Sequence, residues 1–198
     1  MTANFIYYSS INKHYTYVNN SVKNHPELAK ELFVVQHKYD GSNFQVLFSK
    51  NEPVKFASRN EMLNEEKKFF GWKNIIPRVE ADVLKKVQNF LDKSDLKTIN
   101  LFGELYGSAV NKRIMYEENS VLNLKLFDVY FNGIVQSPKF FYEWTEKLEI
   151  PKVFLVETMT DEPVTLQAAL EFDTESVKTK CGDIIEGNLC SLFNIIFL

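Results

Sequence analysis

The 198-residue sequence predicts an α+β fold in which two antiparallel sheets, with flanking helices on their outer faces, enclose a cleft. Three observations lead there. Aromatic residues make up 14% of the chain, mainly 17 Phe and 9 Tyr spread along its length, which favours a sheet-rich core over a helical bundle. Short strand-like runs follow one another with turn residues between them. Two stretches instead carry the apolar stripe and start signals of amphipathic helices.

In order along the chain, residues 1 to 32 form a polar and aromatic lead-in with a short helical candidate at Pro26 to Leu32, where proline occupies a first turn. Phe33 to Tyr39 and Asn43 to Ser49 read as strands joined across Asp40-Gly41-Ser42, a turn whose glycine can take positive φ. Val54 to Ser58 is a third strand. Pro77 opens the clearest helix, because Val79, Val83, Leu84, Val87, Phe90 and Leu91 build one stripe. Ile99 to Tyr106 and Leu122 to Phe131 read as strands. Ser137 caps a helix that starts at Pro138 and lines up Phe141, Trp144 and Leu148. A strand at Val153 to Glu157, a helix at Thr165 to Leu170 and a last strand at Asp183 to Leu192 complete the series.

The length suits a single domain over 1–198, and no linker, repeat or low-complexity tract interrupts it. A net charge of -3 gives no global attraction for polyanions, so any nucleic-acid surface has to be a local basic patch. Cys181 and Cys190 lack metal-ligand spacing and read as reduced thiols of an intracellular protein, cytoplasmic by default. The N-terminus lacks the pattern of a signal peptide, and no run reaches the roughly 18 apolar residues of a membrane span, so no membrane partner is expected. His25 and His37 read as surface or packing residues, and no protein-bound zinc is expected.

The chemistry starts at Lys38-Tyr39-Asp40-Gly41-Ser42-Asn43, where a lysine ends one strand and a glycine lets the backbone turn. An ordinary lysine has a pKa of about 10.4, leaving roughly one amine in a thousand neutral at pH 7, so a nucleophilic lysine needs burial or nearby cations. An isolated K-x-D-G match is weak. Four further segments give it context.

KYDGSN resembles motif I of the covalent nucleotidyltransferases, the superfamily of DNA ligases, RNA ligases and mRNA capping enzymes. The resemblance makes Lys38 the nucleophile that attacks the α-phosphate of a nucleotide. Asn43, five residues on, is similar to the asparagine of the RNA ligase 2 family, phage-type and kinetoplastid editing-type, where DNA ligases and capping enzymes usually carry arginine. Arg59, at the end of KFASR, resembles the motif Ia arginine that contacts the nucleotide and positions the RNA end. FGELYG resembles motif III, making Glu104 the partner of the ribose hydroxyls. LKLFDVY resembles motif IIIa, which gives Phe127 the adenine-stacking role and Asp128 a part in organising the site. DIIEGN resembles motif IV, so Glu186 assists metal and lysine. FIYYSSINKHY, with His14, resembles the opening of phage-type RNA ligase 2 proteins.

The resemblance covers residues 5 to 187 and implies an ATP-dependent RNA ligase that joins 3′-OH and 5′-phosphate ends through a lysyl-AMP intermediate. It implies catalytic roles for Lys38, Glu186, Arg59 and Asp40, and nucleotide contacts from Lys38, Asn43, Arg59, Glu104, Phe127 and Asp128. Glu186 and Asn43 would hold Mg²⁺ or Mn²⁺. The partner is nicked or broken RNA, with no obligate protein partner. ATP rather than GTP follows from the resemblance alone. After Glu186-Gly187 the sequence continues NLCSLFNIIFL without the paired lysines of motif V, so the expectation is a domain truncated after motif IV, without a C-terminal RNA-binding domain and with impaired activity. Two alternatives stay open: a catalytically silent nucleotide- or RNA-binding protein, and a DNA ligase or capping guanylyltransferase of the same fold.

Overall fold

The computed structural model describes residues 5–8, 22–118, 121–173, 177–183 and 188–192. Among these the strands form two antiparallel sheets, as the sequence predicts. The larger runs β4 (Met62–Leu63), β3 (Lys55–Ser58), β2 (Ser42–Ser49), β5 (Thr98–Tyr106), β6 (Asn123–Phe131) and β7 (Ile134–Val135) in that spatial order. The smaller places β1 (Leu32–His37) between β8 (Val164–Thr165) and β9 (Asn188–Leu192).

The core lies on one face of the larger sheet. Alternate residues Phe44, Val46 and Phe48 of β2, Ile99, Leu101 and Leu105 of β5, and Leu124, Leu126 and Val129 of β6 point there and are buried. The expected helical stripe covers them. It is split between α1 (Ile76–Val79), a π-helical turn at Glu80–Leu84 and α2 (Lys85–Lys93), and its Val79, Val83, Leu84, Val87 and Leu91 are all buried. Helix α3 (Pro138–Lys147) adds Phe141 and Trp144; Ser137 caps it by accepting from the Phe140 N–H at 3.2 Å. The smaller sheet buries Phe33 and Val35 against Ala169 of α4 (Leu166–Leu170), which Thr165 caps.

Four sequence expectations are corrected. The strands on either side of Asp40-Gly41-Ser42 do not pair with each other: β1 belongs to the small sheet and β2 to the large one, so the turn is a crossing between sheets. Gly41 is not in the positive-φ region. Its need for glycine is steric, because a Cβ there would lie 2.1 Å from the Leu105 carbonyl oxygen and 2.8 Å from Glu104 Cγ. The expected strand at Val153 to Glu157 starts instead as a 3₁₀ turn over Lys152–Phe154. The chain then runs extended between the sheets, with the Val156 N–H donating to the Leu126 carbonyl at 2.9 Å and the His37 N–H donating to the Glu157 carbonyl at 3.0 Å. Pro26–Lys30 is a 3₁₀ turn that ends before Leu32, which opens β1. The last strand is described from Asn188 to Leu192; residues 184–187 lie outside the described residues.

Candidate functional site

The face of the larger sheet opposite the helices forms the floor of a cleft of about 380 Å³. Strand alternation sends Asn43, Glu104 and Lys125 to this face as direct neighbours across β2, β5 and β6. All three line the cleft, together with His37 at the end of β1, Lys38 and Tyr39 from the crossing after it, Arg59 and Asn60 after β3, and Phe69. The residues expected to contact a nucleotide thus come together from separate segments, with Lys38, Asn43, Arg59, Glu104 and Phe127 on one cavity wall or rim.

Phe127 reaches the cleft through an irregularity in β6. Phe102 pairs with Asp128 and Gly103 pairs with Leu126, which leaves Phe127 as an extra residue at a β-bulge. Leu124 and Leu126 face the core before the bulge, and Val129 does so after it. Phe127 and Asp128 therefore both lie on the side away from the core. Gly103 sits opposite the bulge, where a Cβ would come within 2.7 Å of the Lys125 carbonyl oxygen.

Asp128 is not among the residues that line the cleft. Its carboxylate accepts a hydrogen bond from the Tyr8 hydroxyl, and the Tyr8 ring packs against Phe127 at 5.4 Å and Phe102 at 4.9 Å. Burial pushes the Asp128 carboxyl up to about 7, with the Tyr8 bond pulling the other way, and burial raises the Tyr8 hydroxyl well above its ordinary value. Tyr8 itself lines the cleft. The N-terminal stretch is thus fastened beneath the Phe127 ring, with Gln45 Nε2 donating to the Ile6 carbonyl at 2.9 Å.

Asp40 is not among the cleft-lining residues either. It accepts from Arg113 Nη2 at 2.7 Å, Arg113 Nε at 3.0 Å and Asn111 Nδ2, while its own N–H donates to the Tyr116 hydroxyl at 2.6 Å. These bonds tie the crossing that carries Lys38 to the loop after β5. Rings reinforce the tie, with Tyr39 against Tyr116 at 4.7 Å and against Tyr106 at 4.5 Å. Burial, with nearby carboxylates, raises the Tyr39 and Tyr106 hydroxyls.

Lys125 and His37 are cleft residues that sequence reasoning did not place there. The Lys125 ammonium is almost fully buried, pairs with the Glu157 carboxylate and lies 5.7 Å from the centre of the Tyr39 ring. Glu157 also accepts from the Tyr39 hydroxyl at 2.8 Å. The available signal was a lone lysine in LKLF, one strand period before Phe127. His37 packs as expected, stacking on Tyr39 at 4.4 Å, but it also lines the cleft, and its Nε2 has no hydrogen-bond partner among the described residues. Burial lowers its pKa, Glu157 opposes that and Lys125 adds to it. His25 is exposed and faces Glu27 at 3.3 Å.

Asn43 Oδ1 is a buried acceptor that also has no partner among the described residues. A hydrogen-bond donor or a hard cation in the cleft would satisfy it. Among the described residues no group of three or more His, Cys, Asp or Glu side chains gathers to hold a metal. Glu186 and His14 lie outside the described residues. No helix among the described residues is long and apolar enough to cross a membrane.

Two antiparallel sheets with helices on the outside and a lysine-bearing crossing at the mouth of the cleft between them define the class, an α+β protein with an inter-sheet ligand cleft. The sequence model described as RNA ligase matches residues 31–189, and the chain belongs to the RNA ligase family. Solved structures of Naegleria gruberi RNA ligase share the fold. A lysine-to-alanine mutant with ATP and Mn superposes with a TM-score of 0.70 at 18% identity, covering 100% of this chain and 56% of that one. A lysine-to-methionine mutant with AMP and Mn gives 0.70 at 19% identity, covering 98% and 55%. The structure with PPi gives 0.66 at 18% identity, covering 100% and 57%. This chain therefore spans little more than half the length of those proteins.

Proposed function

We propose that this chain is the nucleotidyltransferase domain of an ATP-dependent RNA ligase, with Lys38 as the nucleophile. The observation that carries the reading is the convergence of Lys38, Asn43, Arg59, Glu104 and Phe127 on one cleft from β2, β5, β6 and the turns after β1 and β3. ATP and Mn in the Naegleria gruberi structures support the choice of nucleotide and of a divalent cation.

In this reading Phe127 stacks on the adenine, held from behind by Tyr8, and Glu104 accepts from the ribose hydroxyls. Lys38 Nζ attacks the α-phosphorus while the bond to the β-phosphate oxygen breaks. Pyrophosphate leaves, and AMP stays joined to the lysine by a phosphorus–nitrogen bond. Arg59 and Lys125 contribute positive charge near the phosphates. Asn43, through its Oδ1, which has no partner among the described residues, and Glu186 would hold Mg²⁺ or Mn²⁺, which would supply charge neutralisation at the phosphates. Asp40 positions Lys38 through its bonds to Arg113 and Asn111 rather than by touching substrate. AMP then passes to an RNA 5′-phosphate, and attack by the adjoining 3′-hydroxyl forms the phosphodiester and expels AMP.

The test is incubation with ATP labelled at the α-phosphate and Mg²⁺ or Mn²⁺, beside Lys38→Ala, followed by denaturing electrophoresis. Label on the wild type alone, lost in acid and stable in base as a phosphoramidate is, supports the reading. A folded protein that binds ATP without taking up label overturns it.

A further inference from the structure

The cleft mouth carries a backbone feature that nucleotide binding does not require. Within the 3₁₀ segment Phe69–Ile75, Phe70 (φ 48°, ψ 18°) and Gly71 (φ 71°, ψ 31°) are successive left-handed residues. Glycine is at home there, whereas a bulky side chain is disfavoured. Phe70 is 37% exposed although apolar sites lie on both sides of it. Phe69 packs against the main core, and Trp72 is buried beside Phe56 at 5.0 Å with its Nε1–H donating to the Lys67 carbonyl at 3.1 Å. The segment is braced from within, and the backbone twist turns the Phe70 ring outward.

The surroundings suit a nucleic-acid strand. Phe70 meets Phe69 edge-on at 4.8 Å, and Phe69, Arg59 and Asn60 line the cleft. Exposed Lys68 immediately precedes the segment and exposed Lys73 lies within it, with Lys73 Nζ donating to the Glu65 carbonyl at 2.6 Å. A rigid aromatic face next to cations, continuous with the cleft that holds the reacting phosphate, is the arrangement by which proteins hold unpaired bases without reading sequence.

We propose that Phe70 is a stacking platform for the terminal base of the RNA end entering the cleft, with Lys68 and Lys73 on the adjoining phosphates. The proposal rests on the RNA ligase reading of the cleft.

Phe70→Gly separates the ring from the backbone, because glycine keeps the left-handed conformation and removes only the side chain. Binding of a fluorescently labelled RNA with an unpaired 5′-phosphorylated end is measured by anisotropy for the wild type, Phe70→Gly and Phe70→Trp, with thermal melting and labelling by α-labelled ATP as separate readouts. The expected result is at least a fivefold weaker RNA affinity for Phe70→Gly with an unchanged or raised melting temperature, and wild-type or tighter affinity for Phe70→Trp. Equal RNA affinity in Phe70→Gly overturns the proposal, as does a Phe70→Trp variant as weak as the glycine one, or a wild type that does not bind the RNA. Failure of the ligase reading shows separately, as absence of label on the wild type.

Discussion

Lys125 and Glu157 form an unequal pair, and the inequality sets the direction of a stability experiment. The Lys125 side chain is 6% exposed and that of Glu157 is 51% exposed. Removing one partner of a fully buried pair costs about 3 to 5 kcal/mol, because the remaining charge is stranded. Here water reaches the Glu157 side, so Glu157→Ala is expected to cost about 2 to 3 kcal/mol, including the bond lost by the Tyr39 hydroxyl. Lys125→Met keeps a stem of similar volume and leaves a carboxylate that solvent can satisfy, so it costs about 1 kcal/mol or less. The two variants should therefore melt roughly 3 to 8 °C apart, with Glu157→Ala the less stable. Urea unfolding and thermal melting of both, with the double variant to close the cycle, measure the difference. Equal losses, or a larger loss for Lys125→Met, would refute the view that a stranded buried ammonium dominates.

Gly41→Ala is expected to lose about 2 to 3 kcal/mol in urea unfolding, because the clashing Leu105 oxygen belongs to the backbone and cannot step aside, and nucleotide affinity should fall with it as Glu104 is displaced. Phe127→Ala should weaken ATP binding about 5- to 100-fold in calorimetric titration, the range for losing one stacked base. The Asp128 carboxyl is raised in the fold to about 7 from 3.8, so the folded state holds a proton that the unfolded state has released across that interval. Stability then falls as pH rises from about 4 to 7 and levels off above, and Asp128→Asn, whose amide oxygen still accepts from Tyr8, should flatten that slope and melt higher than wild type at pH 8. Melting curves at pH 5 and pH 8 decide it, and a wild-type profile that rises across this window would contradict the assignment.

Most elements were legible because the signals that define them are local. Ser137-Pro138 marks a cap and a first turn whatever lies around it, and the stripe from Val79 to Leu91 needs only helical spacing. Asn43, Glu104 and Phe127 could be named from motifs that each occupy a few consecutive residues. What stayed hidden depends on contacts distant in sequence. Strand propensity on both sides of Gly41 says nothing about whether the strands pair, and here they enter different sheets. The bonding of Asp40 to Arg113 was hidden because Arg113 lies 73 residues away. Lys125 looked like an ordinary strand lysine because its partner Glu157 arrives on a bridging segment that imitates a strand in composition. The left-handed turn at Phe70 had no sequence signal beyond the glycine that follows it.

The extra residue in β6 acts as a change of phase. Up to Leu126 the even-numbered positions face the core; from Val129 onward the odd-numbered ones do. Excising Phe127 alone would splice the two phases into one uninterrupted alternation, Leu124, Leu126, Val129 and Phe131 inward, with Asp128 and Tyr130 still outward. The core would register no frameshift, while the cleft would lose the Phe127 ring. In this strand a single-codon deletion, ordinarily among the most damaging lesions a sheet can suffer, is the one that leaves the packing in step.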